Sequence, residues 1–293
     1  MFYCDTIIYV QNPSSIKHNR FSSSRPEFPL TYRRDPDDER DFKMSSDMRK
    51  LSIPMAVDHT PEMSSIKDQG RLGSCVGFAV SALKEWQEYT ENKREVAAGK
   101  IDWRRGKEYD LSESWVYWNS KKIDPWPGEE GTSIRYAMKV LNRLGVPTEG
   151  AWPYDDINIG KPKAWAPLIA KWAWIGNYWR VADLRELKIA LQMTPVPIGI
   201  ACFREIFYVG SDGIVAYPSN KNDMYGGHAV CAVGYDDERK LVKFKNSWGK
   251  GWGDNGYGYL PYSYIDDYLW DAWACKDINV TRQMLKVTKS LYG

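Results

Sequence analysis

Residues 226–260, GGHAVCAVGYDDERKLVKFKNSWGKGWGDNGYGYL, decide how the rest of the chain is read. Residues 228–235 and 241–246 are two β-rich runs, and DDERK between them reads as a hairpin connection. The glycine-rich, aromatic stretch that follows fits a tight connection into a third strand at 257–260. Upstream, PVPIGIACF at 195–203 is another β-rich run, with Gly199 inside it. The first half of the chain has a different rhythm. A helix is expected from about Cys75, because Ser74 suits an N-cap and Val76, Ala79, Val80, Leu83 and Trp86 follow at helical spacing. Gly70 and Gly73 before it suit a tight turn. Further helices fit 112–119, 132–144 (stopped by Gly145) and 183–192. Helices first and antiparallel strands second predict an α+β fold of two lobes with a cleft between them.

Residues 1–50 stand apart. They hold SSS at 22–24 and the charge-dense YRRDPDDERDFK at 32–43, with little apolar periodicity. They read as an extended arm or a short pro-like segment rather than a domain. The main domain is then 51–275, with a helical lobe over about 60–165 and a β lobe over about 170–270, and a tail at 276–293.

Composition removes several function classes. The 40 basic and 38 acidic residues leave a net charge of +2, which gives no reason to expect a nucleic-acid partner. The three histidines, at 18, 59 and 228, show no metal-ligand spacing with each other or with cysteine, so neither metal nor cofactor is expected. No run of 18 apolar residues points to a membrane span. The N-terminus carries Asp5 and lacks a basic region, unlike a signal peptide. Five cysteines, at 4, 75, 202, 231 and 275, are too few and odd in number for a disulfide framework. A monomer in a reducing, cytoplasmic setting is expected, and a virus particle remains open. The 14 tryptophans are read mainly as core anchors.

A cysteine at a helix start is most often an inert small hydrophobe. Cys75 has more around it. Unpaired N–H groups at a helix N-terminus stabilise a thiolate. Gln69 lies six residues upstream, across a glycine-rich turn, so its amide could join the Cys75 backbone N–H as an oxyanion donor. His228 follows Gly226 and Gly227 and opens a strand, and Asn246 ends the next strand, where its side-chain carbonyl could hold the imidazole in one tautomer. Each residue alone has an ordinary structural reading; the ordered set points to thiolate chemistry.

Three segments carry a resemblance to the papain family of cysteine peptidases. DQGRLGSC at 68–75 resembles its cysteine segment, GGHAVCAVGYDD at 226–237 its histidine segment, and KNSWGKGWGDNGYGYL at 245–260 its asparagine segment. Weaker similarity at 57–70, 130–154, 195–203 and 211–218 extends it over about 50–270. His228 and Asn246 follow Cys75 by 153 and 171 residues, against about 130–150 in the family pattern. The resemblance implies a papain-like two-lobe fold and a cysteine-type peptidase, chiefly an endopeptidase acting on polypeptides. Acyl transfer or deamidation with the same thiolate, or a silent papain-fold binding protein, are the alternatives. Cys75, His228, Asn246 and Gln69 would be catalytic, and Trp248 would shield the His–Asn bond. Gly131, Gly227 and Ala229 would border the substrate. The chain departs from the family at Leu72, where a second cysteine is usual, and at Val76, where an aromatic is usual. These departures resemble the cytoplasmic-type branch of the family found in microbes and viruses.

Overall fold

The computed structural model describes residues 28–100 and 109–277. Helix α1 (Cys75–Ala97) is the central element. Its first nine residues are all buried, the signature of a helix enclosed on every side rather than lying on a surface. α2 (Glu113–Lys121) crosses it where Gly77 stands. A Cβ there would lie 2.9 Å from the Glu113 carbonyl, so only glycine permits this approach. Ser112 caps α2 by accepting from the Trp115 N–H at 3.1 Å. α3 (Ile134–Arg143) buries Ile134, Ala137, Met138 and Leu141 against the other two helices. It ends where Gly145 takes φ +71 and donates back to the Val140 and Leu141 carbonyls. A short α4 (Ala166–Ala170) follows.

The second lobe is a mixed-length antiparallel sheet. Its strands are β1 (Ala56–Asp58), β2 (Ile175–Arg180), β3 (Val196–Phe203), β4 (Met224–Asp236), β5 (Leu241–Lys245), β6 (Tyr257–Pro261) and β7 (Leu269–Asp277). They order as β2-β7-β3-β4-β5-β6, with β1 paired to β4. α5 (Leu184–Leu191) is capped by Asp183, whose carboxylate accepts from the Glu186 N–H at 2.8 Å, and α6 (Tyr262–Tyr268) leads into β7. Helices therefore dominate the first half and antiparallel strands the second, giving the α+β, two-lobe fold. Each lobe has its own buried cluster, one centred on α1–α3 and one on β3, β4 and α5.

The hairpin read at 228–246 is β4–β5. Its turn is tied by the Asp236 carboxylate, which accepts from the Glu238 and Arg239 N–H groups. β4 starts earlier than the sequence suggests, because Met224 pairs with Phe203. The segment 211–218, similar to a family strand, makes only the isolated Ile214–Tyr259 bridge. β2 and β7 were not anticipated, and β7 proves central, lying between β2 and β3. No helix among the described residues is long and apolar enough to cross a membrane. Cys75, Cys202, Cys231 and Cys275 are buried and form no disulfide among the described residues; Cys4, and the expected tail beyond Asp277, lie outside the described residues.

Candidate active site

Cys75 is the first residue of α1, and its side chain is fully buried. The Ser74 hydroxyl does not cap the helix as the sequence suggests; it lies 2.6 Å from the Tyr154 hydroxyl instead. The first-turn N–H groups are thus left without a side-chain partner from Ser74. The Cys75 thiol lies against the backbone N–H of Ala229, the residue after His228.

His228 lies on β4, one residue before Ala229. Its Nε2 is 2.8 Å from Asn246 Oδ1. An amide oxygen only accepts, so Nε2 carries the proton and Nδ1 keeps its lone pair. Nδ1 has no hydrogen-bond partner and is buried. Trp248 stacks on the imidazole at 4.4 Å between centroids and 24° between planes, covering one face of the ring. Asn246 is placed by the β4–β5 register, in which Cys231 faces Lys245.

Gln69 joins the two walls. Its Oε1 accepts from the Ser247 hydroxyl at 2.6 Å, and its N–H donates to the Ser247 carbonyl at 2.9 Å. The side-chain amide donates to the Leu72 carbonyl at 3.0 Å, so one amide hydrogen is already engaged. Tyr154 donates to the Gln69 carbonyl at 2.7 Å. Ser247 and Tyr154 were missed by the sequence reading. The Ser247–Gln69 bond spans 178 positions, and neither residue carries a local signal for it.

The segment before Gln69 is anchored by Lys67, whose ammonium bridges Glu85, Asp110 and Glu113. Burial alone would lower its pKa, but the three carboxylates outweigh that and raise it. Those carboxylates lie close enough together to bind a cation, and the Lys67 ammonium already sits among them.

The cleft is filled by the protein itself. Residues 28–35 run through it as a strap. Phe28 stacks on Trp248 at 4.4 Å and 9°. Tyr32 donates its N–H to the Gly227 carbonyl at 3.0 Å, and Arg33 donates to the Thr132 carbonyl at 3.1 Å. The strap backbone rests on glycines of both lobes. A Cβ would lie 2.1 Å from the Thr31 hydroxyl at Gly73, 1.8 Å from the Thr31 carbonyl at Gly131, 2.4 Å from the Leu30 carbonyl at Gly226 and 2.6 Å from the Tyr32 carbonyl at Gly227. Of the residues expected to border substrate, Gly131 and Gly227 therefore lie directly against this peptide. Ala229 is buried beside Cys75 in the interlobe core.

Occlusion sets the charge state. Burial pushes the Cys75 thiol up to about 12, offset only in part by the Ala229 N–H. Burial likewise lowers His228 to about 4, against the opposing effect of its Asn246 bond. With the strap in place the pair is thiol and neutral imidazole. Burial thus disfavours the thiolate, the nucleophilic form of a cysteine.

A helix-start cysteine against the strand that carries an Asn-held histidine suits acyl transfer through a thioester. Comparison with known proteins agrees. A family model described as papain family cysteine protease matches residues 53–265. The chain belongs to the papain family of cysteine proteases. It is a cysteine-type peptidase acting on polypeptides. It is 30% identical over 249 residues to an uncharacterized peptidase C1-like protein of Acanthamoeba polyphaga mimivirus, covering 79% of this chain and 74% of that one. It is 33% identical over 218 residues to cathepsin K of Gallus gallus, covering 71% of this chain and 58% of that protein. Among solved structures it is similar to xylellain, a cysteine protease from Xylella fastidiosa. The TM-score is 0.72 and the identity 30%, with 88% of this chain and 100% of that chain covered.

Proposed function

We propose that this papain-family member is a latent endopeptidase with Cys75 as nucleophile, held closed by residues 28–35. The observation that carries the catalytic assignment is the buried helix-start thiol against the Ala229 N–H, next along β4 to a histidine whose Nε2 is fixed by Asn246. Strap departure lets water reach the site and relieves the burial that holds Cys75 and His228 neutral. His228 Nδ1 then takes the thiol proton, and the thiolate attacks a peptide carbonyl. The Cys75 N–H and the Gln69 amide donate to the oxyanion. His228 returns its proton to the leaving amine, leaving a thioester. A water deprotonated by His228 attacks that thioester, releasing the acid and restoring the thiol. Asn246 keeps the imidazole oriented, and Trp248 screens that bond from solvent.

The glycine-paved channel supports the endopeptidase reading, since it already holds an extended peptide running on past the nucleophile. A reducing compartment fits four buried cysteines that form no disulfide among the described residues. The test is labelling by a peptidyl epoxide, with casein turnover followed in the same samples. Wild type should be labelled and active, and Cys75→Ala neither. Labelling of the alanine protein would remove Cys75 from the role of nucleophile.

A further inference from the structure

The strap shows what the cleft accepts. Tyr32 is 3% exposed, and its ring fills a slot between the two lobes. The slot exists because β3 carries glycine at 199. A Cβ there would lie 2.1 Å from Tyr32 Cε1 and 2.3 Å from Cζ. Trp270 forms a wall, with its ring 6.2 Å from the Tyr32 ring at 29°. At the floor, the Tyr32 hydroxyl donates to Asp271 Oδ2 at 2.7 Å. Gly199 and Asp271 are direct cross-strand partners in the β3–β7 register, so the missing side chain and the buried acceptor belong to one rigid pair. Asp271 is 2% exposed, and its other oxygen takes the Arg180 guanidinium.

We propose that this slot is a tyrosine-selective subsite, so the peptidase favours substrates that place a phenol where Tyr32 now lies. The proposal rests on the peptidase reading above and names the preference of that same cleft. The slot's walls suit an aromatic ring, and its floor adds a demand. Asp271 Oδ2 also accepts from the Asp35 N–H of the strap at 2.9 Å, a donor that leaves when the strap does; a substrate phenylalanine would then fit the walls but offer Oδ2 no hydroxyl in its place. Sites built to bond a hydroxyl reject the analogue lacking it far more strongly than apolar slots reject a missing methylene. A lysine or arginine gains less than a lone carboxylate would give, because Arg180 already balances the charge of Asp271.

The test uses the full chain and matched fluorogenic peptides. Tyr, Phe, Leu or Arg is walked through the three positions preceding the cleaved bond. Strap closure lowers the free enzyme equally for every peptide, so ratios of kcat/KM read the slot alone. At one position Tyr should exceed Phe by tenfold or more, with Leu and Arg lower still. Asp271→Ala should bring the Tyr/Phe ratio to about one. Gly199→Ala, which fills the slot while leaving Asp271 and Arg180 paired, should shift preference at that position toward small residues. Tyr no better than Phe at every position, or Arg preferred, overturns the subsite while leaving the peptidase intact. No cleavage of any peptide, with Cys75 unlabelled by the epoxide, overturns both.

Discussion

The two walls of the cleft are built on different physics. The helical wall places Cys75 by a helix start and Gln69 by a turn only six residues earlier, so its geometry is local. The sheet wall places His228 and Asn246 by strand register, and holds the imidazole with one hydrogen bond and one stacked indole. In the mechanism proposed above, the helical wall supplies the reacting atom and the oxyanion donors, and the sheet wall the proton carrier. Neither works alone. The strap touches both, with Thr31 against Gly73 and Gly131 on one side and Leu30 and Tyr32 against Gly226 and Gly227 on the other. One short peptide therefore covers both walls.

That division predicts a ranking. Removing the nucleophile on the helical wall, Cys75→Ala, should lower kcat by about 10⁶-fold, as in other residue sets that act as a unit. On the sheet wall, Asn246→Ala should cost about 10²–10⁴-fold in kcat, because the base survives but loses its fixed tautomer. Its pH–rate profile should move, since the Asn246 bond opposes the depression of the His228 pKa. An unmoved profile would mean that Asn246 does not orient the base. Gln69→Ala should lower kcat by about 10²–10³-fold, with little change in KM. A loss seen only in KM would take Gln69 out of the oxyanion site.

Smaller effects test the strap. Gly131→Ala puts a methyl 1.8 Å from the Thr31 carbonyl at a φ of +78. It should displace the strap and speed alkylation of Cys75 by iodoacetamide about tenfold, which corresponds to about 1.4 kcal/mol of lost closure. The smallest effect expected is pH-dependent. Asp35 is lifted to about 6, first by burial and then by Asp271, although Ser133, Trp273 and the Arg135 side chain oppose the shift. In the free strap an aspartate sits at about 3.9. The docked carboxyl holds its proton more tightly, so Asp35 favours closure most below about 4 and this contribution is lost as pH rises through 6. Wild-type Cys75 labelling relative to Asp35→Asn should climb by a few-fold over that window; a ratio that falls would reverse the assignment.

Much of the site was legible because its pieces are short motifs. Cys75 and Gln69 sit in one turn, and His228 and Asn246 in one hairpin, so local patterning brought each pair together before any tertiary contact was known. The lobe order followed from helical spacing giving way to β-rich runs. What could not be read depends on long-range fit. β7, LWDAWACKD, mixes charges and aromatics without alternation, because both its neighbours and the Asp271–Arg180 pair are supplied from far away in sequence. The strap has no period at all. Its hold comes from missing side chains at Gly73, Gly131, Gly199, Gly226 and Gly227, and an absent Cβ leaves no mark on the hydrophobic pattern.

The strap is also tied to the body beyond the cleft. Asp41 pairs with Arg135 and lies 3.6 Å from Arg180, and the Arg180 N–H donates to the Phe42 carbonyl at 2.7 Å. In the latent form proposed above the strap acts as a tethered inhibitor, whose effective concentration at the site reaches the millimolar range for a short connection. Even modest intrinsic affinity then keeps the cleft closed. A single cut in the connection at 36–40 would alter none of the contacts made by residues 28–35, yet would remove the tether that residues 41 and 42 provide.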